Sequence, residues 1–153
     1  MDDLKLVQHA QGAPGLRFIG MGPNIFPSKG LLKLKRLLDE NTLWAQKRTT
    51  KDIKIMLSKS NVIVSLWKKK QLIGFGRATT DHVYRAILWD IVIDKNFQRN
   101  GFGSMIVNSI ISNKLISKVE KIYLMTTDCK EFYLKMGFTL EKNQKLLILK
   151  KNK

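Results

Sequence analysis

Residues 86–111 read AILWDIVIDKNFQRNGFGSMIVNSII, and the fold turns on this stretch. Ala86–Asp94 is almost continuously apolar, the pattern of a central strand covered on both faces. A polar run follows at 95–100. A helix then opens near Gly101, with Ile106/Ile110 and Val107/Ile111 as two i,i+4 apolar pairs. Between strand and helix stands Gln98-Arg99-Asn100-Gly101-Phe102-Gly103. Glycines there permit positive φ and close backbone approach. Successive amides of such a turn, backed by the positive end of a helix dipole, converge on an anion, and Arg99 adds a charge. This suits the holding of a pyrophosphate. A P-loop is excluded because Gly-Lys-Ser/Thr is absent, and of the three glycines of a Rossmann fingerprint only two fit here, with Ser104 next in the chain. Taken alone, the Gly-x-Gly is equally an ordinary tight turn before a helix.

Outward from this centre the chain alternates short strands and helices. Val62–Trp67 and Leu72–Thr79 predict a hairpin around Lys68-Lys69-Lys70, with Gly74 and Gly76 marking a bulge or a close backbone approach. Upstream, the leucines at 31, 34, 37 and 38 predict a helix over Ser28–Glu40 with Ser28 as cap. Ile53, Met56 and Leu57 predict another over Thr50–Lys59, capped by Thr49 or Thr50. Leu16–Met21 reads as a first strand and residues 1–15 as a flexible tail. Downstream, Lys121–Thr126 reads as a strand and Lys130–Met136 as a short helix stopped by Gly137. Leu140 and Leu146–Leu149 suggest a closing hairpin around Glu141–Lys145. The order β-α-α-β-β-β-α-β-α-β-β is that of an α+β domain, with residues 16–153 as a single unit.

Composition narrows the chemistry. The 153 residues suit one domain with a core of its own. The single Cys129 excludes an internal disulfide framework and a cysteine-rich zinc site. His9 and His82 cannot make a multi-histidine centre, so no metal is expected. No apolar run approaches the ~18 residues of a membrane span, and Met-Asp-Asp opens no signal peptide. A soluble cytoplasmic protein with no membrane partner is therefore expected. The net charge of +16 invites a nucleic-acid reading, yet it comes from 22 Lys and 6 Arg beside 15 Ile and 9 Asn. Those residues rise together in an A/T-rich genome, whereas bidentate readers of phosphate and base use arginine. A solvated lysine surface, a polyanion surface and a basic rim around a small anion all remain open.

A second motif, Phe132-Tyr133-Leu134-Lys135-Met136-Gly137-Phe138, follows about thirty residues after the glycine loop. Together, Gln-x-x-Gly-x-Gly between a strand and a helix and this Phe-Tyr-x-x-x-Gly-Phe resemble the GCN5-related N-acetyltransferases (GNAT) over residues 62–140. The run QLIGFGRATTDHVYRAILWDIVID resembles their cyanobacterial and plastid branch, which includes the plant serotonin N-acetyltransferases. That branch makes a bacterial cytosol or a plastid stroma the expected compartment.

The resemblance implies a mixed, mostly antiparallel sheet with a splayed central parallel strand pair, flanked by about four helices. Acetyl-CoA would be the co-substrate. The backbone of Ile91 and Ile93 would bind its pantetheine arm, Gln98, Arg99, Asn100, Gly101, Phe102, Gly103 and Ser104 its pyrophosphate, and Val92 or Ile93 would offer an amide to the carbonyl oxygen. Tyr133 holds the position of the acid that protonates the departing thiolate, with Phe132 beside it. Asp90 is the preferred base or base relay, its alternative being a structural carboxylate, and His82 is the runner-up. Asp128 would contact the pantetheine amide or the acceptor, or cap a helix. Trp89, Tyr84 and Thr126 would line the acceptor pocket. Met125-Thr126-Thr127-Asp128 departs from the acidic, alanine-rich run of the plant members, which loosens any transfer of indoleamine specificity. The function implied is acetyl transfer to a primary amine, either a small arylalkylamine such as serotonin or a protein amine, by a monomer or homodimer. A non-catalytic nucleic-acid- or ribosome-binding module on the same fold is the competing reading.

Overall fold

The computed structural model describes residues 3–24 and 26–152. Nine regular elements follow in chain order: β1 (Leu4–Gln8), α1 (Gly30–Asn41), α2 (Thr50–Ser58), β2 (Val62–Lys68), β3 (Gln71–Thr80), β4 (Arg85–Ile93), α3 (Phe102–Ile111), β5 (Lys121–Tyr123) and α4 (Lys130–Lys135). A π-helical turn at Gly15–Ile19 and a 3-10 turn at Lys95–Phe97 complete them. The strands form one sheet in the order β1-β2-β3-β4-β5, antiparallel throughout except for the parallel pair β4–β5. The expected α+β class, the mostly antiparallel sheet and its parallel strand pair are thus present, the pair lying at the β5 edge of the sheet rather than at its centre.

Two apolar layers cover the sheet. On one face α1 and α2 bury Leu34, Leu37, Leu38, Ile53 and Leu57 against Trp67, Phe75 and Val92. On the other, α3 buries Ile106, Val107 and Ile110 against Val64, Leu66, Ile73 and Leu88. Thr49 caps α2 as its sequence suggests, its hydroxyl accepting from the Asp52 amide at 3.0 Å. Gly74 and Gly76 let α3 settle on β3. A Cβ at either position would lie 2.7 Å from Ile106, and at Gly76 also 2.7 Å from Ile91. Both readings of those glycines are realised, because β3 and β4 slip register between Phe75 and Arg77. Gly76 there faces two residues, Asp90 and Ile91, and Asp90 takes φ +51°.

A polar chain lies on one face of β2, beside the end of β1. The Trp67 indole N–H donates to Ser65 Oγ at 2.8 Å, and Ser65 Oγ lies 2.7 Å from His9 Nε2. A hydroxyl carries two lone pairs and one proton, so with one lone pair on tryptophan Ser65 still serves either tautomer of a neutral His9 ring. Burial pushes the His9 pKa down to about 4.

Several expectations are corrected. Residues 4–8 are not tail: they form β1, paired with β2 from Leu4↔Lys68 to Gln8↔Val64. Leu16–Met21 is not a strand, because Gly15–Ile19 coils into the π turn that Gly20, at φ +65°, terminates. Ser28 does not cap α1, since Lys29 in the left-handed region takes that place, and among the described residues the buried Ser28 Oγ has no partner. The strand expected over Lys121–Thr126 keeps only its first three residues. The closing hairpin does not form: Leu146–Leu149 are 66–90% exposed and lie in no element. The edge of β5 is too short to template it, and no residue of Glu141–Lys145 adopts the positive φ that a tight hairpin turn requires.

Candidate active site

β4 and β5 pair only from Arg85↔Lys121 to Ile87↔Tyr123. Beyond that the two strands part, and on this side the edge of β4 from Leu88 to Ile93 has no strand beside it among the described residues. The Asp94 amide donates to Ile73 C=O, on the β3 side, at 2.8 Å. Alternation along the strand then turns the amides and carbonyls of Ile93 and Ile91 into the gap and that of Val92 away from it. This excludes Val92 as an amide donor in the gap and keeps Ile93.

The gap opens into a cavity of about 1020 Å³. Ile91, Val92 and Ile93 form one wall, Gln98, Arg99, Gly101, Phe102, Gly103 and Ser104 a second, and Asp128, Phe132 and Tyr133 a third. The loop is shaped by two left-handed residues, Arg99 at φ +62° and Gly101 at φ +78°. The Gln98 side chain donates to Ile93 C=O (3.2 Å). Asn100, which does not line the cavity, donates to Phe97 C=O (3.1 Å) and Gln98 C=O (3.0 Å), so its role is to shape the loop. The first intrahelical bond of α3 runs from the Met105 amide to Gly101 C=O. The amides of Phe102, Gly103 and Ser104 therefore stand ahead of any intrahelical acceptor at the positive end of the helix. A Cβ on Gly103 would lie 3.1 Å from the Phe132 ring, and one on Gly101 would point into open space. A cradle of free amides at the end of a strand-lined trough fits a cofactor that joins a diphosphate to an extended amide arm.

The Phe-Tyr-x-x-x-Gly-Phe motif acquires a physical account. Phe132 closes on Gly103, and Tyr133 packs edge-on against Phe132 (4.8 Å) and Phe138 (5.7 Å). Gly137, at φ +93°, turns the chain so that Phe138 reaches back. Tyr133 is 9% exposed, and burial, with a smaller contribution from Cys129, raises its pKa to about 12. It is thus a protonated phenol at neutral pH on the cavity wall. Cys129 also lines the cavity, its thiol pushed up by burial and by Asp128.

These features coincide with a known family. An acetyltransferase (GNAT) domain model matches residues 59–140. The chain belongs to the GNAT acetyltransferase family. It is 37% identical over 113 residues to an uncharacterized N-acetyltransferase ycf52 of Pyropia yezoensis; that match covers 71% of this chain and 64% of the relative's own length. The ycf52 N-acetyltransferase of Gracilaria tenuistipitata var. liui is 33% identical over 142 residues, 90% of this chain and 76% of the relative. In fold, the GNAT protein SP0256 from Streptococcus pneumoniae TIGR4 superposes with a TM-score of 0.70 at 16% identity, covering 97% of this chain and 99% of that one.

Within this GNAT frame the remaining expected site residues separate. Asp90 does not line the cavity. Its Oδ2 accepts from Arg48 (2.9 Å) and Arg77 (2.8 Å), and the two guanidiniums outweigh its burial and hold the carboxyl below its ordinary range. That makes it a poor proton acceptor. Trp89 donates to Thr79 Oγ1 (2.8 Å) and carries the Arg77 guanidinium over its ring, which turns it from the cavity. Tyr84 is exposed at the β3–β4 turn, beyond the paired end of β5, and His82 lies in that same turn. Thr126 accepts from the Cys129 amide (3.1 Å) ahead of α4 rather than facing an acceptor.

The residues that sequence reasoning missed lie at the end of α1 and in the loop that follows it. Asn41 and Trp44 line the large cavity and also an adjoining hollow of about 550 Å³, with Glu40, Leu43, Lys95, Thr127 and Asp128. Asp128 is the carboxylate shared by both spaces. Trp44, 56% exposed in an irregular loop, carries no motif; an unpartnered tryptophan outside any apolar stripe was the available signal.

Proposed function

We propose that this protein is an acetyl-CoA-dependent N-acetyltransferase acting on a primary amine. The observation that carries the reading is the open edge of β4, which runs straight into the free amides at the start of α3 with the protonated Tyr133 beside it. Ile91 and Ile93 would pair with the amide arm of the cofactor as a further strand would. The amides of Phe102, Gly103 and Ser104, with Arg99, would hold its diphosphate. Acetyl-CoA supplies a thioester carbonyl that a neutral amine can attack. The Ile93 amide is the donor available to the developing oxyanion, and the Tyr133 hydroxyl the donor available to the sulfur that departs.

The acceptor would enter through the smaller adjoining hollow. Asp128, shared by both spaces, would bind the incoming ammonium, and Trp44 would cover the body of the molecule. Asp90 is left out of proton transfer for the reasons given above, and the acceptor's proton leaves through water. The test is titration of the protein with acetyl-CoA by calorimetry, followed by thiol release across a panel of indoleamines, polyamines, amino acids and peptides. Micromolar-range binding and amine-dependent thiol release support the proposal. Absence of acetyl-CoA binding refutes it. Steeply salt-dependent RNA binding in its place would favour the binding-module reading.

A further inference from the structure

The loop over 42–49 and the bulge of β4 meet at one buried carboxylate. Asp90 is the residue that makes the bulge, at φ +51°, and its side chain is 4% exposed. Both of its hydrogen bonds to charged donors fall on Oδ2. One comes from Arg77 on β3, 13% exposed, and the other from Arg48 at the end of the loop, 29% exposed. Arg77 is itself fixed. Its Nη1 donates to Ser60 Oγ at 3.3 Å, and its guanidinium lies 5.6 Å from the centre of the Trp89 ring. The carboxylate is thus held from the sheet side, and Arg48 connects it to the loop. Arg48 also reaches Met56 Sδ on α2 at 3.4 Å.

At its other end the loop is pinned to α1. Thr42 Oγ1 donates to Leu38 C=O and accepts from the Ala45 amide, and Asp39 accepts from the Lys47 amide. Trp44 lies between these anchors, on the wall shared by both spaces.

We propose that Asp90 is a positioning residue which, through Arg48, fixes the 42–49 loop and its Trp44 against the bulge of β4 and so sets the width of the acceptor entrance. The kinetic consequence rests on the transfer reading above; the clamp itself does not. The geometry explains why an acid occupies this place. Asp and Asn tolerate the left-handed region better than other residues with a Cβ, and only the charged one satisfies two guanidiniums at once. One carboxylate then couples two walls of the site: the backbone that faces the cofactor arm and the loop that faces the acceptor.

The test uses R48Q, R48K and D90N. The unliganded proteins are examined by hydrogen exchange, and all are assayed with acetyl-CoA and 2-phenylethylamine as the probe acceptor. R48Q should speed amide exchange over 42–49 about fivefold or more with no change over 89–93, and should raise the amine KM about fivefold while kcat and the acetyl-CoA KM move far less. R48K should recover part of both effects. D90N, which keeps the backbone conformation, should speed exchange in both segments. If D90N does not fold, R48Q decides alone, since its arginine is partly at the surface. Unchanged exchange over 42–49 in R48Q overturns the proposal, as does a rise in kcat and both KM values together. If the wild type shows no turnover with any amine, the transfer reading fails, and the exchange measurement still decides the clamp.

Discussion

Acidification should weaken this fold through His9 before any carboxylate contributes. The ring lies 2.7 Å from Ser65 Oγ and is held neutral by burial, with its pKa lowered from 6.5 to about 4. A depressed pKa favours the folded state above the unfolded value of 6.5, and the benefit disappears as pH falls from there toward 4. At about 1.4 kcal/mol per pH unit the loss approaches 3 kcal/mol, a large share of the 5–15 kcal/mol typical of a domain. Asp39, Asp81 and Asp90 also have lowered pKa values, but from 3.8, so their contributions vanish only in stronger acid. The two windows therefore separate. Urea midpoints measured from pH 7.5 to 4.5 should fall steeply for the wild type and remain nearly level for His9→Gln, whose amide does not titrate. If the two proteins lose stability in parallel between pH 6.5 and 4.5, His9 is not held neutral and the account of the Trp67–Ser65–His9 chain is wrong.

Three further outcomes are expected. Tyr133→Phe should lower kcat by about 10²–10⁴-fold with acetyl-CoA affinity little changed, and because burial raises the phenol to about 12, wild-type rates should show no loss of the acid up to about pH 10. Gly76→Val should cost about 1–3 kcal/mol in urea unfolding, since its first carbon alone would lie 2.7 Å from Ile106 and Ile91; an unchanged midpoint would show that α3 is free to move off β3. Gly101→Val, at φ +78° with nothing within 4 Å, should lower stability by about 1–2 kcal/mol from backbone strain and weaken acetyl-CoA binding, as read by calorimetry.

The central part of the molecule was legible because local chemistry and tertiary role coincide there. Ile106, Val107 and Ile110 announce an apolar helix face, Gly101 and Gly103 announce its entry, and Thr49 caps the helix that its position suggests. The ends were not. Leu4–Gln8 shows no clean alternation, and only Leu4 and Val7 are half-buried, so β1 exists because β2 offers it an edge, a fact no window of sequence contains. In the reverse error, Leu146–Leu149 has the composition of a strand without a sufficient edge to pair with. The candidate site divides in the same way. The glycine loop and the Phe132–Phe138 motif are contiguous and were readable. The Arg48–Asp90–Arg77 cluster gathers residues 42 and 13 positions apart, and it changes Asp90 from a proton acceptor into an anchor. Trp44 faces the site only through the path of a loop.

The bare side of β4 has a cost as well as a use. A row of unpaired backbone groups along a central strand invites any extended chain, and folded proteins ordinarily cover or blunt such a row. Here it has no partner strand from Leu88 to Ile93, with only the Gln98 side chain on Ile93 C=O, while the same molecule carries an exposed, strongly apolar run at Leu146–Leu149. In the ligand-free protein the two are natural partners for mispairing between molecules, and an occupant of the trough would act as a plug. Aggregation of the purified protein should therefore be governed by occupancy of the trough as well as by temperature. A rigid, strand-mimicking compound, chosen for its spacing of amides rather than for its side chains, would both protect the protein and block it.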